Sequence, residues 1–198
     1  PGFETPHPGI VVETVNDITA LQEKLSDARI SAIVIGPGLG RDQQATAFLN
    51  AALATGTPLV IDADALTVAG PEFSDLVKGR SAETIATPHA GEFSALMPEG
   101  CEHRVEDSRR LAEQSRCNIL LKGGNASIAW ISCPWLSTAG TGDVLAGIIA
   151  SRLATGMSGY KAACEGQWLH SRAAQLAGPA FTPEMLINRL PATLQECL

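Results

Sequence analysis

The sequence predicts an α/β fold with a largely parallel central sheet. Short, largely apolar runs rich in β-branched residues alternate with stretches whose apolar residues recur at helical spacing. Runs of that kind suit strands covered on both faces. Each ends in a cluster of glycine or polar residues, and in open α/β sheets ligands gather at that carboxyl edge.

In chain order, residues 1 to 12 are rich in Pro and Gly and predict a loop or an edge segment. From Asp17 to Ala28, Ile18, Leu21 and Leu25 fall at helical spacing. Ser31 to Ile35 is the first strand, ended by Gly36-Pro37-Gly38-Leu39-Gly40. Asp42 to Ala54 reads as a helix with Ala45, Phe48, Leu49 and Leu53 on one face. Thr57 to Ile61 is the second strand, and the short helix pattern after Asp62-Ala63-Asp64-Ala65-Leu66 is broken by Gly70-Pro71. Thr84 to Ala86 is the third strand, followed by helices from Glu92 to Leu96 and from Glu106 to Cys117. Asn118 to Leu121 is the fourth, ending at Lys122-Gly123-Gly124, with Ser127 to Ile131 as a hairpin partner. Two helices follow, over about 142–155 and 158–177, and a last short one over about 183–190 that Pro191 stops.

Composition narrows the function classes. The 198 residues are 45% hydrophobic and 18% charged, which suits one globular domain with a sizeable core. A formal charge of -7 argues against nonspecific binding to nucleic acid or to anionic membranes. No apolar run reaches the ~18 residues of a membrane-spanning helix, and no basic-then-apolar leader opens the chain. Cys101, Cys117, Cys133, Cys164 and Cys197 are scattered, odd in number and without a Cys-x-x-Cys pair. Free thiols in a reducing, cytoplasmic setting are therefore expected, not a disulfide frame or a metal cluster. No Ser/His/Asp order suggests acyl transfer, and three Trp and one Tyr are too few for a base-stacking platform.

The most informative stretch is Ser137-Thr138-Ala139-Gly140-Thr141-Gly142-Asp143. Val144, Leu145, Ile148, Ile149 and Leu153 then recur at helical spacing, so a helix starts near Gly142. The first N–H groups of a helix lack internal partners and its dipole favours negative charge. Glycines at 140 and 142 let an anion approach that bare backbone. Asp143 then stands beside an anion hole, an arrangement suited to base-assisted phosphoryl transfer. By itself Asp143 is equally a helix cap.

The other clusters are weaker singly. Gly36-Pro37-Gly38-Leu39-Gly40 lacks the last glycine of a dinucleotide fingerprint, since position 41 is Arg, and lacks the Lys-Ser/Thr of a P-loop. Asp62 and Asp64 could bind Mg²⁺, although Asp64 as a cap of the next helix is favoured. His89 sits between a rigid Pro88 and Gly91-Glu92; it could hydrogen-bond a substrate while Glu92 helps to order Mg²⁺. Lys122 could offset phosphate charge, with Gly123 and Gly124 exposing backbone. His7, His103 and His170 have no comparable setting and carry no expected role.

Taken in order, Ile35 to Gly40, Ile61 to Leu66, Thr87-Pro88-His89-Ala90-Gly91-Glu92, Leu121-Lys122-Gly123 and Thr138 to Gly147 resemble the ADP/ATP-dependent NAD(P)H-hydrate dehydratases, a branch of the ribokinase-like superfamily. The resemblance runs from about residue 31 to 192 and includes Phe181-Thr182-Pro183 and Leu190-Pro191. It implies a three-layer α/β/α sandwich over a single domain, residues 1–198, lacking the family's N-terminal glycine-rich unit and its frequent epimerase domain, and short near 130–134.

The resemblance also implies a chemistry. ADP or ATP, with Mg²⁺, phosphorylates the hydroxyl of hydrated NADH or NADPH, and phosphate then leaves to restore the dihydronicotinamide. Asp143 would be the base, and Gly140, Thr141 and Gly142 would stabilise the transferring phosphoryl group. Gly38, His89 and Asp143 would contact the hydrated dinucleotide. Lys122, Gly123, Gly124, Asn125, Ala126 and Gly142 would hold the adenine nucleotide, and Glu92 would help to hold the metal. The partners implied are small molecules, with no nucleic acid and no membrane, and the assembly a homo-oligomer such as a tetramer. Two alternatives stay open: a kinase of the same superfamily acting on a thiazole or pyrimidine alcohol, and a non-catalytic nucleotide-binding relic.

Overall fold

Four parallel strands form the centre of the protein. The structure, a computed structural model, describes residues 9–97, 103–123 and 134–197. Helix α1 (Ile18–Leu25) is capped by Asp17, whose carboxylate accepts from the Ala20 N–H at 2.8 Å. Strands β1 (Ile33–Ile35), β2 (Leu59–Ile61), β3 (Thr84–Ala86) and β4 (Asn118–Ile119) then pair in the order β1-β2-β3-β4. Sequential order means that every crossover steps the same way, and right-handed crossovers place all their helices on one face. These are α2 (Gln43–Leu53), α3 (Ala63–Ala69), a 3-10 turn (Gly70–Glu72), α4 (Phe73–Val77), α5 (Ala90–Leu96) and α6 (Arg104–Ser115). Helices α7 (Thr141–Ala154) and α8 (Gly159–Ala177) cover the opposite face, followed by α9 (Pro183–Ile187) and α10 (Leu190–Gln195).

The period-2 geometry of the strands splits the core in two. Leu59 and Ile61 point towards Leu49, Leu66, Phe73 and Phe93. Val60 and Ile85 point the other way, onto Leu145, Ile149 and Leu153. The result is the expected α/β/α sandwich with a parallel sheet. No helix among the described residues is long and apolar enough to cross a membrane. Cys117, Cys164 and Cys197 are free thiols, as expected of them, and burial pushes the Cys117 thiol up to about 12, leaving it inert.

The structure corrects several expectations. Asp64 does not cap α3; Asp62 occupies the cap position, and its carboxylate is used elsewhere. The last helix is two: α9 ends at Ile187, and Pro191 lies in the first turn of α10, where a missing N–H is harmless. So Pro191 opens a helix and does not stop one. Helix α5 starts at Ala90, earlier than Glu92, because His89 and Glu92 cap it together. Helix α4 was not anticipated at all. The hairpin partner expected at Ser127 to Ile131 lies outside the described residues.

Candidate active site

The carboxyl edge of the sheet holds the candidate site. After β1 the chain turns at Gly36, whose φ is 130° and where a Cβ would lie 1.7 Å from the Asp62 carbonyl oxygen, so only glycine fits. Gly38 is exposed on that loop with φ 68°. Asp64 fastens the loop to α3: it accepts from the Gly40 N–H at 3.1 Å and from Arg41 Nε at 2.8 Å. The Arg41 bond holds its carboxyl below the usual range. Between them Ala63 adopts φ 49°, the left-handed region that disfavours a Cβ. This strained residue aims Asp62 and Asp64 in different directions at the rim.

Asp62, 1% exposed, accepts from Lys122 Nζ at 2.6 Å. Glu92 approaches the same ammonium at 4.0 Å. The β3–β4 ladder is extended by a bridge between His89 and Lys122, with the Lys122 N–H donating to the Pro88 carbonyl at 2.7 Å. His89 and Glu92 form a reciprocal cap. His89 Nδ1 accepts from the Gly91 and Glu92 N–H groups at 3.0 and 3.1 Å, and Glu92 Oε2 accepts from the His89 N–H at 2.8 Å. With Nδ1 accepting, Nε2 carries the proton and faces Glu92 Oε1 at 3.3 Å. A ligand therefore meets the exposed ring of His89 with its Nε2–H.

Helix α7 begins against this cluster. Gly140 is its cap residue, with φ 88° and Pro183 so close that a Cβ would lie 2.9 Å from Cγ. The Thr141 hydroxyl donates to the Leu136 or Thr138 carbonyl, at 2.7 and 2.8 Å. Lys122 Nζ lies 3.6 Å from where a Gly142 Cβ would be. The Gly142 and Asp143 N–H groups have no acceptor among the described residues, and the exposed Asp143 carboxylate has no hydrogen bond or ion pair there. A cation, open N–H groups and a free carboxylate thus meet where an anion and a hydroxyl could react.

Lys122, His89, Glu92, Gly142 and Asp143 are brought together as the sequence suggested, with Gly38 on a loop of the same rim. Gly123 is exposed, 3.7 Å from Arg104 Nη1 at its Cβ position. Gly124, Asn125 and Ala126 lie outside the described residues. Two groups escaped the sequence reading. Asp62, a candidate Mg²⁺ ligand in the sequence, pairs with Lys122. His170, given no role, lies on the buried stripe of α8 with Nε2 at 2.8 Å from the Thr141 carbonyl oxygen. The signal was a lone histidine among Ala162, Ala163, Gly166, Ala173 and Ala174, on a face that must meet another helix.

Among the described residues no three His, Cys, Asp or Glu side chains gather as a metal set. Asp62 is already spent on Lys122, so Glu92 would be the carboxylate offered to an ion that arrives with phosphates and needs only one or two protein carboxylates, the usual habit of Mg²⁺.

The profile of the NAD(P)H-hydrate dehydratase family matches residues 3–196. The chain is 40% identical over 182 residues to the bifunctional NAD(P)H-hydrate repair enzyme of Mycobacterium leprae, covering 84% of this chain and 38% of that protein. It is 36% identical over 182 residues to the repair enzyme of the same name from Salinibacter ruber, covering 86% of this chain and 33% of that one. It therefore spans about a third of the length of these relatives. The structure of the Bacillus subtilis ADP/ATP-dependent NAD(P)H-hydrate dehydratase, co-crystallised with ATP/Mg²⁺, matches with a TM-score of 0.68 at 25% identity, covering 88% of this chain and 69% of that one. The motif order, the sheet with its rim cluster and these matches agree: the chain belongs to the NAD(P)H-hydrate dehydratase family.

Proposed function

We propose that this chain dehydrates hydrated NADH or NADPH at the expense of ADP or ATP. The observation that carries the reading is the unpartnered Asp143 carboxylate at the glycine-opened start of α7, beside Lys122. Asp143 takes the proton of the ring hydroxyl while that oxygen bonds the terminal phosphorus of the nucleotide. The bond from that phosphorus to the bridging oxygen breaks, leaving AMP from ADP or ADP from ATP. The ring C–O bond then breaks with its electron pair going to phosphate. A proton leaves the neighbouring ring carbon, and the dihydronicotinamide is restored.

Gly140, Thr141 and Gly142 form the turn that stabilises the transferring phosphoryl group: the open Gly142 and Asp143 N–H groups serve it, while the Thr141 N–H is kept by the Thr138 carbonyl at 3.3 Å. Lys122 moves charge towards the nucleotide phosphates, with Gly123, Gly124, Asn125 and Ala126 along the nucleotide. Gly38 and His89 hold the hydrated dinucleotide. Glu92 would help to hold Mg²⁺, which would supply positive charge to the nucleotide phosphates.

The test mixes the protein with hydrated NADH and ADP or ATP and follows recovery of the reduced-nicotinamide absorbance. Recovery with either nucleotide is expected, and its absence with both would falsify the reading. A stable phosphorylated product would favour a kinase instead. Asp143→Asn should lower turnover by about 10²–10⁴-fold while adenine nucleotide still binds. We also propose a cytoplasmic homo-oligomer such as a tetramer, which light scattering of the purified chain would check.

A further inference from the structure

We propose that His170 is a positioning residue for the anion-binding turn: its ring fixes the first turn of α7, and with it the direction of the Gly142 N–H and the Asp143 carboxylate. His170 projects from the α8 stripe that packs on α7 and is 4% exposed. Its Nε2 lies 2.8 Å from the Thr141 carbonyl oxygen. A carbonyl only accepts, so Nε2 carries the proton and donates. Burial holds the imidazole down to about 4, with the Lys122 charge adding in the same direction and the Thr141 bond opposing, so the ring is neutral near pH 7. Nδ1 is then a bare acceptor, and it has no hydrogen-bond partner among the described residues.

A histidine serving only to fill space would be replaced with gain by leucine, because a buried unpartnered nitrogen is unfavourable. Among the described residues, the one hydrogen bond of the His170 ring goes to the residue that opens α7. Thr141 is thereby held twice, by its hydroxyl at Leu136 or Thr138 and by its carbonyl at α8. The turn needs this, because Gly140 and Gly142 on either side leave the backbone loose. Donors fixed in advance stabilise developing charge without reorganising as the reaction proceeds.

The kinetic arm of the test rests on the dehydratase reading; the exchange arm does not. His170→Leu keeps apolar volume and removes the donor, while His170→Gln restores an N–H near the Nε2 position. In His170→Leu the Val144 and Leu145 amides, which close the first turn of α7, should exchange hydrogen about tenfold faster or more. Those of Ile148 to Leu153 should keep their rates. The kcat should fall about tenfold, less than the loss of a direct oxyanion donor, with KM for the hydrated dinucleotide within about twofold. His170→Gln should recover most of both. Wild-type exchange at Val144 and Leu145 in His170→Leu, or an unchanged kcat, would overturn the proposal. If wild type itself fails to restore the dihydronicotinamide, the dehydratase reading falls and the exchange pattern still decides this one. If His170→Leu does not fold, His170→Gln is compared with His170→Asn, whose amide is too short to reach Thr141; equal behaviour of the two also overturns it.

Discussion

The two ends of the sheet use similar groups in opposite ways. At the amino edge, Arg80 is half-buried and its guanidinium is consumed by structure. Nε donates to Thr84 Oγ1 at 2.9 Å, and Nη1 to the carbonyls of Ala52 at 3.2 Å, Thr55 at 3.1 Å and Leu53. Nη2 donates to the Thr57 carbonyl at 2.7 Å. One side chain thus closes the C-terminus of α2 and starts two strands. Nearby, Glu83 accepts from the Gly159 N–H at 2.8 Å and fastens the start of α8. At the carboxyl edge the Gly142 and Asp143 N–H groups and the Asp143 carboxylate have no such partners among the described residues. What is closed at one edge gives stability, and what is left open at the other is available to a ligand, the usual division between stability and function.

The comparison breaks if the edges are not separable, and the sharpest test sets Arg80→Met against Asp143→Asn. Arg80→Met takes this donor from the partly buried carbonyls of Leu53, Thr55 and Thr57 and should cost about 3 kcal/mol in urea unfolding. The fraction still folded should bind adenine nucleotide as wild type does. Asp143→Asn should do the reverse, with turnover lost and the urea midpoint unmoved. A shared loss of stability in both variants would mean that the edges act as one unit.

A second, smaller effect depends on pH. His170 sits near 6.5 when unfolded and about 4 when folded, so between these values the unfolded chain binds the extra proton. Its contribution is complete above pH 6.5 and is lost as pH falls towards 4, about 3 kcal/mol in all. The stability of His170→Leu relative to wild type should therefore rise as pH is lowered through that window. A constant difference would show that the ring is not held neutral by the fold. The smallest effect is at Ala63: Ala63→Gly relieves a left-handed backbone but frees the unfolded chain, for a net gain of at most about 1 kcal/mol by thermal unfolding.

Much of this was legible in the sequence, for a physical reason. Period-2 and period-3.6 patterns are local, so the alternation of strands and helices was visible. So was the placing of the Gly36, Asp62, His89 and Lys122 clusters at strand ends, and of Asp143 at a helix start. What stayed hidden depends on partners distant in the chain. The Arg80 clamp and the contact of His170 with Thr141 are set by packing and leave no local pattern. Asp62 was misjudged because its partner Lys122 is 60 residues away. Pro191 was misjudged because proline both ends helices and suits their first turn. The start of α5 was missed because histidine is an unusual cap, recognisable only through its bond with Glu92.

The Asp62–Lys122 pair has a consequence for how the family can change. Losing Lys122 alone strands an almost fully buried carboxylate, and losing Asp62 alone leaves a largely covered ammonium; removing one partner of such a pair typically costs about 3–5 kcal/mol. Most single steps away from the pair therefore pass through a weakly folded intermediate, while a joint replacement by two apolar residues keeps the fold and discards the cation at the rim. The two positions, each on its own side of β3, are bound to drift together or not at all, a ratchet that preserves a charge at this edge among descendants even where selection for turnover has lapsed.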